Sequence, residues 1–290
     1  MKKILCIFLL LALLLPGAAL GETVVASFYP IYLFARNLTA GIDGLEVHCM
    51  AEPGTGCLHD YQLSTADMKA LAGADAFLIN GAGMESFLSF VMEALPDLPV
   101  VDASTGVALL EDDDGDEEYN SHIWLCGENA MQMVRNLAEG LMALYPQHSE
   151  AIAANRDDYL SRLAAVDEEL KAGLAPLAGT ELITFHEAFP YFAQAYGLEV
   201  AAVVTHDSDD SLSAWQLTRL IRLIQGMTSP VLFVEPQSDD IVAQTLAQET
   251  GAPIYTLDPC VTGPEGDDLP LTLYEDTMRS NMTVLLEAFQ

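Results

Sequence analysis

The sequence predicts an α/β protein: two lobes of βα units, each built on a parallel sheet, joined by a long rigid spine helix. Two observations carry this reading. Short apolar runs rich in β-branched and aromatic residues alternate with helical patterns in both halves of the chain, as parallel strands linked by crossover helices do. Between the halves, residues 128–174 keep helical periodicity with a single break at Tyr145-Pro146, where proline cannot continue a helix. The expected division is a signal segment over 1–21, a first lobe over 22–127 with an acidic loop at 111–118, a helical spine over 128–175, and a second lobe over 176–290.

The elements follow in order. Lys2 and Lys3, an apolar run over 4–15, Pro16 and the pattern Ala19-Leu20-Gly21 predict an export signal. That run is shorter than the roughly 20 residues a membrane helix needs, and no later stretch is long and apolar enough for stable membrane insertion. Cys6 sits inside the run, and no cysteine follows the expected cleavage point to carry a lipid. The first lobe is predicted to have strands near 24–28, 45–50, 76–80 and 100–103 and helices near 31–38, 65–72 and 85–95. In the spine, Ala151, Ala154, Tyr159, Leu163, Val166 and Leu170 recur at spacings that place them on one face. Strands near 182–185, 200–204, 231–234 and 254–257 then alternate with helices near 191–196, 213–225, 239–249 and 271–288.

Charge excludes several partners. The chain carries 43 Asp and Glu against 11 Lys and Arg, a formal charge of −32. Nucleic acid and anionic membrane surfaces would repel it. The run Glu111-Asp-Asp-Asp-Gly-Asp-Glu-Glu118 reads as a solvated loop; its alternative role is to raise the local cation concentration, since carboxylates alone give no zinc selectivity.

Cys49, Cys57, Cys126 and Cys260 remain after the expected cleavage, and in an oxidising compartment at least one disulfide is expected. Their pairing stays open. Thiolate ligation is the rival use, because Cys57, Cys126 and Cys260 lie close in sequence to the candidate ligands that follow.

Those candidates are His59, His122, His186 and Asp258. His186 and Asp258 directly follow predicted strands, His59 lies in the loop Glu52-Pro-Gly-Thr-Gly-Cys-Leu-His59 after the second strand, and His122 ends the connection after the fourth. Open parallel sheets bind ligands beyond the carboxyl ends of their strands, so the lobe interface is where these residues would meet. Three imidazoles and a carboxylate fill a zinc tetrahedron, and a filled site captures metal and leaves no position to activate water. Glu235 is placed to receive an imidazole N–H, with an ordinary strand-end acid as the alternative. Trp124 and Tyr61 are expected to pack around the site. His48 and His148 read as structural or surface residues, and His206, at a strand end, keeps a minor alternative as a ligand or rim residue.

Four segments, in order, resemble a known family. They are Pro53-Gly-Thr-Gly-Cys-Leu-His-Asp-Tyr61, Asn120-Ser-His-Ile-Trp-Leu125 with Glu128-Asn-Ala130, Thr184-Phe-His-Glu-Ala-Phe189, and Val234-Glu-Pro-Gln237 with Thr256-Leu-Asp-Pro259. Together they resemble the zinc and manganese solute-binding proteins of ATP-binding-cassette importers, the ZnuA-like and TroA-like group. The resemblance implies an exported monomer, periplasmic or secreted, that captures metal and passes it to a membrane permease. It also assigns His59, His122, His186 and Asp258 to the metal, with water or Cys57 as other candidates for the fourth position. An imidazole at His186, where manganese-preferring members tend to have a carboxylate, favours zinc over manganese. The chain departs from many zinc members in having an acidic loop instead of a His-rich one, and Leu58 where some have a carboxylate. Two other classes are a secreted zinc hydrolase, with Glu235 or Asp258 as general base, and a metal-containing adhesin. No His-Glu-x-x-His or Gly-x-Ser-x-Gly motif supports the hydrolase.

Overall fold

The computed structural model describes residues 21–52, 54–58, 61–111, 118–204, 213–236, 241–264 and 269–290. Residues 1–20 of the expected signal segment, His59, the acids at 112–117 and His206 lie outside the described residues. The first half forms β1 (Glu22–Ala26), α1 (Tyr29–Thr39), β2 (Leu45–Cys49), α2 (Thr65–Ala72), β3 (Ala76–Ile79), α3 (Leu88–Ala94) and β4 (Val100–Asp102). Next come α4 (Gly127–Leu144) and α5 (Ser149–Leu174). The second half forms β5 (Glu181–Thr184), α6 (Pro190–Tyr196), β6 (Glu199–Val203), α7 (Ala214–Gly226), β7 (Leu232–Val234), α8 (Ile241–Thr250), β8 (Ile254–Thr256) and α9 (Leu273–Ala288).

Both sheets are parallel and wound alike, in the orders β2-β1-β3-β4 and β6-β5-β7-β8. In each, the chain first adds a strand on one side and then crosses to the other, so the strand order reverses between β1 and β3 and between β5 and β7. Loops leave such a switch point in opposite directions and open a crevice at the carboxyl ends of the strands.

Alternation along the strands divides the core. Val24 and Ala26 of β1 face one large buried cluster that also holds Phe34 of α1, Leu137 of α4, Leu163 of α5, Leu182 of β5 and Leu285 of α9. Val25 points to the opposite face, against Phe77, Ile79 and Val91. Ile183 does the same in the second sheet, against Ile224, Leu232 and Leu246. The two halves therefore share their inner core, and α4 and α5 are part of it as well as a connector.

At about 1.5 Å per residue, α5 rises roughly 39 Å. Its inward stripe is Ile152, Tyr159, Leu163, Val166, Leu170 and Leu174. Ala151 and Ala154, expected on that face, are exposed. The face is set instead by Ile152 and by Asn155, whose Nδ2 donates to the carbonyls of Leu38 and Ala40, each at 3.0 Å, tying α5 to the end of α1. Buried Asp167 accepts from Lys171 Nζ at 2.8 Å and from the Tyr196 hydroxyl at 3.1 Å. Helix α3 begins three residues later than expected. Glu85, expected to open it, instead turns its carboxylate back to accept the backbone N–H groups of Asn80 (2.8 Å) and Gly81 (3.0 Å) at the end of β3.

Candidate metal centre

The second sheet supplies its part of the site by strand register. Ile183 pairs with Leu232 and Thr184 with Phe233, so the same register continued two residues sets His186 beside Glu235, just past the switch point between β5 and β7. There His186 Nδ1 hydrogen-bonds Glu235 Oε1. With Nδ1 held by the carboxylate, Nε2 is the nitrogen left for a ligand. Of the two sequence-based readings of Glu235, the structure supports the imidazole partner.

The first half supplies its part through segments that leave the sheet. His122 is fully buried and follows Asn120-Ser121, a segment held from both sides. Asn80 Nδ2, at the end of β3, donates to the Ser121 carbonyl at 3.0 Å. From the second half, the Tyr191 hydroxyl donates to the Asn120 carbonyl at 2.8 Å. Asn120 Nδ2 donates to the Glu187 carbonyl at 2.8 Å, which fixes the amide orientation and turns Oδ1 toward His122. That Oδ1 accepts the His122 backbone N–H at 3.0 Å and lies 3.1 Å from Nδ1. A proton on Nδ1 satisfies this contact and leaves the Nε2 lone pair facing the site.

Cys57 completes the group. It is partly exposed, in the loop after β2, and is carried by Leu58, which is fully buried. Its Sγ lies 3.4 Å from His122 Nε2, and it also hydrogen-bonds His186. The rings of His122 and His186 meet edge to face, 4.7 Å between centroids at 88°. One ligand atom from each of Cys57, His122 and His186 lies within 4.8 Å of the others. Burial pushes the Cys57 thiol up, and the neighbouring His186 opposes that shift. For His186, burial pulls the imidazole down, but Cys57 and Glu235 outweigh it and hold it well above the usual histidine value.

Asp258 stands close by and outside this group among the described residues. Its Oδ1 accepts the Cys260 backbone N–H at 2.7 Å, and its own N–H donates to Asn281 Oδ1 at 2.9 Å. Cys260 in turn adopts a left-handed backbone, φ 61°. Burial raises the Asp258 carboxyl, the Cys260 N–H partly opposes that, and Glu235 adds repulsion. Trp124 walls the site as expected: it is fully buried, 5.2 Å from the His122 ring, and donates from Nε1 to the Pro259 carbonyl at 2.8 Å. Tyr61 instead donates to Asp67 at 3.0 Å and packs on Phe87. His48 is exposed beside Glu46, and His148 lies 3.1 Å from Glu22, both apart from the group.

The expected disulfide is not formed. No disulfide joins Cys49, Cys57, Cys126 or Cys260 to another of the described residues. Each belongs to a different element: Cys49 ends β2, Cys57 faces the imidazoles, Cys126 precedes α4, and Cys260 is buried after β8. Two sequence-based signals pointed to residues of this site that carried little weight alone: the thiol two positions before His59, and the Asn two positions before His122.

Two imidazole nitrogens and a sulfur match the donors that zinc takes in tetrahedral sites. The family model described as zinc-uptake complex component A, periplasmic, matches residues 24–288. The zinc-binding protein AdcA of Streptococcus pyogenes serotype M3 is 29% identical over 285 residues, covering 90% of this chain and 55% of that protein. The iron-binding protein YfeA of Yersinia pestis is 28% identical over 233 residues, covering 79% of this chain and 74% of that protein. The solved structure of Zn(II)-bound AdcA from Streptococcus pneumoniae superposes with a TM-score of 0.79 at 25% identity, covering 92% of this chain and 57% of that one. This chain thus spans only a little over half the length of the AdcA proteins it matches. A family match over nearly all of the described chain, on two similarly wound parallel sheets, places the protein in the zinc-uptake complex component A family.

Proposed function

We propose that this protein captures zinc outside the cytoplasm and delivers it to the permease of an ABC-type importer. The observation that supports this best is the meeting, within 4.8 Å, of ligand atoms from Cys57, His122 and His186, which are far apart in sequence and come from both halves of the molecule. Family membership and the names of the AdcA relatives point the same way. His122 and His186 are the imidazoles that hold the ion, and His59 and Asp258 are the further ligands read from the sequence. Manganese is the competing cargo, and zinc is favoured because the donors that meet within 4.8 Å among the described residues are two imidazole nitrogens and a sulfur.

Capture without turnover is the proposed mode of action. No helix among the described residues is long and apolar enough to cross a membrane, and the protein works as a monomer that docks transiently on its permease. The test is metal analysis of protein purified without a His tag, followed by competitive titration of zinc against manganese. One tightly bound zinc per chain, displaced poorly by manganese, is the expected outcome. Equal affinity for the two metals contradicts the zinc assignment, and hydrolytic turnover by the zinc-loaded protein contradicts a pure carrier.

A further inference from the structure

We infer that Cys57 binds the captured zinc through its thiolate, beside His122 and His186, and that this sulfur sets the preference for zinc over manganese. The inference rests on metal capture at this site, and it adds a donor that the three-imidazole, one-carboxylate reading does not contain.

The geometry carries it. Both imidazoles are fixed from behind through Nδ1, His122 by Asn120 and His186 by Glu235, so both present Nε2 to the same space. Cys57 Sγ occupies that space, 3.4 Å from His122 Nε2. Asp258 spends Oδ1 on the Cys260 N–H and stays outside the group. A zinc ion needs about 2.3 Å to sulfur and about 2.0–2.1 Å to nitrogen, so small movements of three side chains already within 4.8 Å of one another would close on it. As the zinc–sulfur bond forms, the thiol proton leaves to solvent and no atom changes oxidation state. Zinc takes four donors, which leaves one position beyond these three side chains. A thiolate suits zinc and disfavours manganese, which prefers oxygen.

The experiment uses the full chain stripped of metal with a chelator and loaded with cobalt(II) as a spectroscopic probe. The wild type should show an intense thiolate-to-cobalt charge-transfer band in the near ultraviolet. Cys57→Ser should lose that band, and Cys126→Ser should keep it. Zinc affinity of Cys57→Ser should fall by at least about tenfold, the lower end of what even outer partners of a bound metal contribute, while manganese affinity changes far less. Should Cys57→Ser fold poorly, the wild type alone decides: zinc should shield Cys57 from iodoacetamide, read by peptide mass spectrometry, and leave Cys126 alkylation unchanged. Cobalt bound without the band, a band that survives Cys57→Ser, or Cys57 alkylated equally with and without zinc overturns the inference and leaves metal capture standing. Failure of the wild type to bind cobalt or zinc overturns capture itself, and the inference falls with it.

Discussion

The two sheets are wound in the same order and yet furnish the candidate metal centre by different means. The second sheet uses its strands: His186 and Glu235 lie one or two residues beyond β5 and β7, and register alone brings them together. The first half uses segments outside its sheet, with Cys57 in the loop after β2 and His122 at the end of the connection after β4. There a lattice of hydrogen bonds through Asn80, Asn120 and Tyr191 replaces register. One face of the site is thus specified by backbone pairing and the other by side chains. Substitutions in the lattice can retune the donor set without disturbing either sheet.

This contrast orders the expected effects on zinc binding. His122→Ala removes a donor and should weaken zinc by more than about a hundredfold, beyond the range seen for outer partners of a bound metal. His148→Ala, remote from the group, should leave titrations unchanged. Glu235→Gln keeps the shape but loses the charge on His186 Nδ1, and a ten- to hundredfold loss measured by competition is expected. Asn120→Ala breaks the lattice, costing both the acceptor for His122 and the donor to Glu187. An affinity loss of roughly tenfold is expected, together with about 1–3 kcal/mol of stability from partners left unsatisfied. Leu163→Ala in α5 should cost about 2–5 kcal/mol in denaturant unfolding and leave Kd nearly unchanged, because it touches the shared core alone.

The smallest effect on metal concerns Glu85, which burial pushes up from 4.5 to about 7, with the N–H groups of Asn80 and Gly81 opposing part of that shift. A folded-state value above the unfolded one means that the native protein holds a proton which the unfolded chain releases. The associated stability is present below about 4.5 and is lost as pH rises through about 7, on the order of 3 kcal/mol across that window. Urea unfolding of the metal-free protein between pH 4.5 and 7.5 should show this decline at constant m. Glu85→Ala should flatten it.

Much of this was legible in the sequence because strand-end positions are set by periodicity. Of the residues read this way, His186 stands at the crevice and Glu235 against its imidazole, and Asp258 lies nearby. The loop side was harder to read. Cys57 reads from the sequence as either a disulfide partner or a thiolate ligand, since nothing in local pattern tells a thiol that will meet two imidazoles from one that will meet another thiol. Asn120 was one polar residue among several until its two amide ends found different halves of the molecule. The α5 stripe departs from its sequence pattern at the first turn for a similar reason: an alanine fits either face of a helix, and Asn155 on the carbonyls of Leu38 and Ala40 decides which face turns inward.

That both halves hold a single ion is best tested by calorimetric titration of zinc into the wild type, His122→Ala, His186→Ala and the double variant, all metal-free at pH 7.5. One equivalent of tightly bound zinc is expected in the wild type, near-complete loss in either single variant, and little further loss in the double, because residues that share one ion are not additive. Single variants that each retain tight binding of one equivalent, with losses that simply add in the double, would mean that the two histidines do not share an ion.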